Sequence, residues 1–175
     1  FKRIKNFGKE KNVDVEHYII SSGLTNMIEG CSFFNELNRV YACEYIFKNG
    51  RGLWPKLSVN YSNKVQFLYR IHKGAFEVND QEGVNEKKYF GDHIHVPFEN
   101  MIFFGDGETD VPTFNVLNKN NGKSICVYDD KNQKSIDIAK KLFSDGRVHH
   151  LVKNDYQENS EVDVLVKEII KSKSN

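Results

Sequence analysis

The sequence predicts an α/β fold built on a mostly parallel sheet. Three observations point there. Short apolar runs alternate along the chain with amphipathic stretches of helical spacing, the pattern of βα units. Hydrophobic residues make up 39% and charged residues 28%, which is globular composition and argues against a wholly disordered chain. At 175 residues the chain is one domain's length, long enough to bury roughly 70% of its unfolded surface without disulfides or a structural metal.

Residues 1–12 are basic, and Phe1 and Ile4 mark the tail of a preceding helix or cap that ends at Gly8. The core then spans 13–172, with a frayed tail at 173–175. Val15 to Ser21 is a buried strand, and Leu24 to Glu29 is a helical turn or more ended by Gly30. Val40 to Cys43 is a strand. Glu44 to Leu53 is a β-hairpin, because Asn49-Gly50 supplies the positive φ of a type I′ turn. Ser62 caps a helix running to His72, and Gly74 ends it. Residues 75–97 are a connection with one short helix. Met101 to Phe104 is the strongest buried-strand signal. A helix follows from Asp110 to Asn120, with Pro112 in its first turn and Gly122 past its end. Strand Ile125 to Tyr128, helix Lys134 to Phe143, strand Val148 to Val152 and helix Glu161 to Ile170 complete the series.

Lys plus Arg is 25 and Asp plus Glu is 24, so the net charge is +1 and no broad footprint for nucleic acid or an anionic membrane is expected. No apolar run reaches the ~18 residues of a membrane span. Cys31, Cys43 and Cys126 are odd in number and widely spaced, which suggests reduced, buried thiols and a cytoplasmic setting. The chain opens on Phe1 without a signal-peptide pattern, and the expectation is a part of something longer.

Three features carry chemistry. Gly105-Asp106-Gly107-Glu108-Thr109-Asp110 follows an apolar strand and opens a helix. In an α/β sheet that place is the carboxyl edge, where ligands bind. Two carboxylates four residues apart on a glycine-loosened turn can converge on a hard cation such as Mg²⁺. Alternatively Asp110 caps the helix and Asp106 sits in a loop. Ser21-Ser22-Gly23 also follows an apolar strand. A hydroxyl beside backbone N–H groups at a helix start suits a phosphate oxygen, whereas a simple turn needs the same residues. Lys64, early in a helix, is either a point charge for phosphate or a solvated surface lysine.

In this order the three resemble motifs two, three and four of the haloacid dehalogenase (HAD) superfamily, in its phosphoserine phosphatase-like branch. YIISSG (Tyr18–Gly23) looks like motif two, NKVQFLYRI (Asn63–Ile71) like motif three, and FFGDGETD (Phe103–Asp110) like motif four. The hairpin EYIFKNGRG (Glu44–Gly52) is similar to one in that branch. The resemblance implies a Rossmann-like three-layer sandwich and Mg²⁺-dependent hydrolysis of a small-molecule phosphomonoester through an aspartyl-phosphate. Ser21, Ser22, Gly23 and Lys64 would bind phosphate, Lys64 and Asp106 would act in catalysis, and Asp106 with Asp110 would hold the metal.

The family's motif one, DxDx[TV] after an apolar first strand, is absent. Asp14-Val15-Glu16 precedes the motif-two strand and does not replace it. The family's first strand lies between those of motifs two and four, so its absence leaves unpaired backbone groups, each costing about 1–3 kcal/mol when buried. The expectation is therefore that an N-terminal segment of the same polypeptide supplies the nucleophile, the central strand and most of the cap, and that this chain alone is inactive. The alternative is a non-catalytic regulatory or interaction domain that keeps the pocket. A phospho-acceptor receiver fits less well, because no apolar strand here ends in a lone Asp in the required order.

Other patterns lead nowhere. Gly122-Lys123-Ser124 lacks the upstream Gly of a P-loop, since that position is Leu117. His93 and His95 lack a third ligand at useful spacing. His149 and His150 point to opposite faces of a strand. Trp54-Pro55 reads as packing.

Overall fold

The computed structural model describes residues 1–85 and 94–174. The chain is α/β, and its strands form two three-stranded sheets rather than one. It divides into two units: residues 1–64 with the stretch from Gln157 onward, and Val65–Tyr156.

The first unit opens with α1 (Lys2–Glu10), which runs through Gly8 instead of ending there. Gly8 is needed for a different reason. A Cβ at that position would lie 2.5 Å from Val15 Cγ2 and 2.7 Å from the Val13 carbonyl oxygen, because the chain doubles back across the helix. α1 is tied to α7 (Glu161–Lys171). The Arg3 guanidinium bonds the buried Asp163 carboxylate at 2.9 Å, and the Lys167 and Lys171 ammonium groups lie over the Phe7 ring. The first helix therefore packs within this unit.

The same unit holds a mixed sheet in the order β1 (Tyr18–Leu24), β2 (Arg39–Lys48), β3 (Arg51–Leu57). β2 is one long strand shared by two partners. Residues up to Cys43 pair in parallel with β1, and residues from Glu44 pair antiparallel with β3. Asn49 and Gly50 both take positive φ, 51° and 74°, as the type I′ turn requires. α2 (Thr25–Glu29) follows β1 directly and ends at Gly30.

α3 (Lys64–Lys73) leads into the second unit. Ser62 does not cap it through its side chain; its hydroxyl donates instead to Asn60 Oδ1. Gly74 ends α3 at φ +69°. Arg70 is buried, and its guanidinium donates to the carbonyls of Ala75, Glu77, Val78 and Asp80, which fixes the next turn up to α4 (Gln81–Asn85). A parallel sheet follows in the order β4 (Ile102–Gly105), β5 (Lys123–Tyr128), β6 (His150–Lys153). The connecting helices α5 (Val111–Lys119) and α6 (Gln133–Ser144) share one core, in which Phe114, Ala139 and Leu142 close over Cys126, with Phe103 and Leu151 beside them.

Two strands differ from expectation in the same way. β1 and Ile102–Phe104 of β4 read as fully buried, yet their residues are half-buried or exposed. The fully buried run is Ser124–Val127 of β5. Both β1 and β4 are edge strands of their sheets among the described residues, whereas β5 is central. Their sequences nonetheless resemble interior strands, apolar on consecutive positions.

Candidate functional site

The GDGETD turn is built at the carboxyl end of β4. Gly105 closes the strand and is buried. A Cβ there would lie 2.6 Å from Asp110 Oδ2 and 2.6 Å from Phe114 Cζ. Only glycine lets the Asp110 carboxylate come so close to the strand. A 3₁₀ turn over Glu108–Asp110 then runs into α5. Asp110 occupies the N-cap position of α5, yet its side chain makes no capping bond to that helix. It turns back, and Oδ2 accepts the Asp106 N–H at 3.1 Å. Asp110 is 3% exposed, so the turn is clamped from inside while the Asp106 side chain stands at the surface.

Two neighbours share this edge. Cys126 pairs with Gly105 across the sheet. Burial pushes its thiol up to about 11, and the Asp106 and Asp110 carboxylates add to that. The Tyr156 phenol is also shifted upward, by partial burial and then by Asp106. Sequence reasoning did not single out Tyr156. The available signal was its position in the loop after β6, the third strand of the same parallel sheet.

The Ser21-Ser22-Gly23 triple has a different construction. It is not a loop after β1 but a bulge within it. Ile20 registers with Tyr41 and Leu24 with Cys43, so three residues of β1 face the single residue Ala42 of β2. The Gly23 N–H donates to Ser21 Oγ at 3.0 Å. The Gly23 amide is thereby already engaged, while a serine hydroxyl that accepts one bond keeps its own hydrogen to donate. The Cys43 thiol lies 3.5 Å from the Ser22 carbonyl oxygen. Ser22 and Gly23 are exposed and Ser21 is half-buried. Lys64, in the same unit, is the half-buried first residue of α3.

A hard divalent cation takes about six oxygen ligands. Among the described residues no three His, Cys, Asp or Glu side chains come together as a metal site. The exposed Asp106 carboxylate fits such an ion as one donor, and the buried Asp110 supports it through the Asp106 amide. Of the remaining patterns, His95 packs edge-on against Phe76, its N–H bonded to the His72 carbonyl. His93 lies outside the described residues. His149 Nδ1 receives the Ser124 N–H at 3.3 Å, a structural role. All three thiols are free, and Cys126 is the buried one. Trp54 is not packed: it is 71% exposed on β3. No helix among the described residues is long and apolar enough to cross a membrane.

Comparison with known proteins adds one relative. A protein of Borreliella burgdorferi described as uncharacterized is 28% identical over 168 residues, covering 85% of this chain and 55% of that protein. The chain thus spans about half the length of the curated relative it matches. No family model matches the chain, and no solved structure does.

Proposed function

We propose that this chain is the phosphate- and metal-binding half of a cytoplasmic, Mg²⁺-dependent phosphomonoester hydrolase of haloacid dehalogenase type. The observation that carries this reading is the GDGETD turn: an exposed Asp106 at the carboxyl end of a parallel strand, on a turn fixed by the buried Asp110. The two apolar edge strands add support. β1 and β4 each have one strand neighbour among the described residues, and a strand from the same polypeptide would give each a second.

In this reading Asp106 presents its carboxylate to the cation, and Asp110 holds the Asp106 backbone in place. The Ser21 hydroxyl donates to a phosphoryl oxygen, and the Lys64 ammonium neutralises another. The cation, when bound, screens charge on the phosphoryl group. Positioning and electrostatics of this kind supply much of phosphoryl-transfer catalysis. The attacking Asp comes from the segment outside these residues. A regulatory domain that keeps the pocket without turnover is the second reading, favoured by the absence of a third ligand beside Asp106 and Asp110 among the described residues.

The test is release of phosphate from p-nitrophenyl phosphate by the complete polypeptide, with and without Mg²⁺. Mg²⁺-dependent turnover that Asp106→Asn removes is the expected result. Turnover unchanged by Asp106→Asn would take this residue out of the site. An inactive complete polypeptide that still binds phosphate would favour the regulatory domain.

A further inference from the structure

The β2–β3 hairpin exposes an unusual amount of apolar surface. Tyr45, Ile46, Phe47, Leu53 and Trp54 are 45%, 48%, 57%, 57% and 71% exposed. They lie on both faces of the ribbon. Ile46 and Trp54 are direct cross-strand partners and share one face. Tyr45 and Phe47 occupy the other, reaching over Gly52, whose added Cβ would meet Phe47 Cε1 at 3.7 Å and Tyr45 Cδ1 at 4.0 Å. Scattered apolar residues on a surface need no explanation, but five large ones gathered on one hairpin mark an interaction site.

We infer that this hairpin is the docking surface for the part of the same polypeptide that lies outside these 175 residues. The relative's length supplies the occupant: with 55% of that protein matched, 45% of it lies outside the match. The two-sided exposure supplies the mode. A partner lying on a flat face covers one side of a ribbon, whereas a segment of the same chain can pass around both. Edge-to-edge pairing with a second copy is opposed by β3 itself. Pro55 has no N–H to donate, and the register shifts between Gly52 and Trp54 and again between Pro55 and Leu57. The inference rests on the same longer polypeptide as the proposed function, but not on catalysis.

Trp54 is the single tryptophan of these residues and reports directly on the surface. The experiment uses the complete polypeptide with any tryptophan outside this chain changed to phenylalanine. Acrylamide quenching of Trp54 is compared with that of free N-acetyltryptophanamide. The expected result is several-fold weaker quenching and a blue-shifted emission, both unchanged on dilution. Ile46→Ser and Phe47→Ser should lower the thermal midpoint of the complete polypeptide. Quenching as strong as that of the free compound overturns the inference. So does protection that vanishes on dilution, which means a second copy, or protection that needs phosphatidylglycerol vesicles, which means a lipid surface. A gene that encodes no further chain also overturns it. Phosphate release measured on the same sample separates the two proposals: turnover with an exposed Trp54 removes the docking alone, and a protected Trp54 without turnover removes the enzyme alone.

Discussion

The two glycine-containing turns that carry the proposed chemistry are held in opposite ways. The GDGETD turn is fixed from within, by a carboxylate that is 3% exposed and fits only because residue 105 lacks a Cβ. The Ser21–Gly23 bulge is held at the surface, by one bond from the Gly23 amide to the Ser21 hydroxyl oxygen and by a thiol near a carbonyl. Burial makes the first turn rigid before any ligand arrives. The second is a solvent-facing distortion of an edge strand, able to adjust around an anion. A metal ligand gains from the first arrangement, because hard cations demand fixed oxygen positions. A phosphate contact tolerates the second, because a hydroxyl rotates to suit its acceptor.

The sharpest way to break this contrast is a matched pair of glycine substitutions. Gly105→Ala forces its new methyl into Asp110 and Phe114 and should destabilise the second unit by about 3 kcal/mol. Gly23→Ala meets only Ser21 Oγ, at 3.2 Å, and should change stability by less than about 0.5 kcal/mol. Hydrogen exchange of the β4 and α5 amides and of the β1 amides measures both. Similar losses at the two positions would remove the distinction.

Acid sharpens it from another side. Asp163 is a second buried carboxylate. Burial alone would raise its pKa, but Lys167, the Asn159 N–H and Arg3 hold it at about 2. The folded value lies below the ordinary 3.8. Its contribution is therefore complete above that range and is lost as pH falls through 2, an effect of about 2 kcal/mol on the first unit. Circular dichroism of wild type and Asp163→Asn between about pH 5 and about pH 1 checks it. An equal acid slope in both would show that another group controls the loss.

Asp110→Ala removes the acceptor of the Asp106 amide and should cost about 2 kcal/mol, while Asp110→Asn keeps an oxygen and should cost less. Urea midpoints of the two variants rank them, and equal values would mean that the Asp106 bond contributes nothing. The smallest effect is on the bulge. Ser21→Ala should leave the urea midpoint almost unchanged and weaken inorganic phosphate binding by about 1 kcal/mol, read by calorimetry on the complete polypeptide. Unaltered phosphate affinity would take Ser21 out of the proposed pocket.

Much of the local structure was readable from the residues. The Asn49-Gly50 hairpin, the Gly74 helix end and the alternation of strands with helices from Ile102 onward follow from backbone preferences that act within a few residues. Where the structure gives a residue another role than the reading did, its contacts decide it. After α5 the left-handed position is taken by Asn121 at φ 61°. Gly122 is required instead because a Cβ there would lie 2.6 Å from the Phe98 carbonyl oxygen. Ser62 does not cap the next helix because its hydroxyl donates to Asn60 Oδ1 instead. Trp54 is of a residue type usual in cores, yet it stands 71% exposed on the hairpin.

For the candidate site the division is similar. The residue types and order of Ser21, Lys64, Asp106 and Asp110 belong to the sequence, as does the α/β class, because periodicity and turn chemistry are local properties. Tertiary structure decided that Asp110 faces back to the Asp106 amide and not into its own helix, since that choice depends on the space left by Gly105 and Phe114. It decided that Ser21 lies in a bulge, since register is set by the partner strand β2. Among the described residues it also made two apolar strands edges, because whether a strand is central depends on which other strands reach it, and no single strand's sequence encodes that.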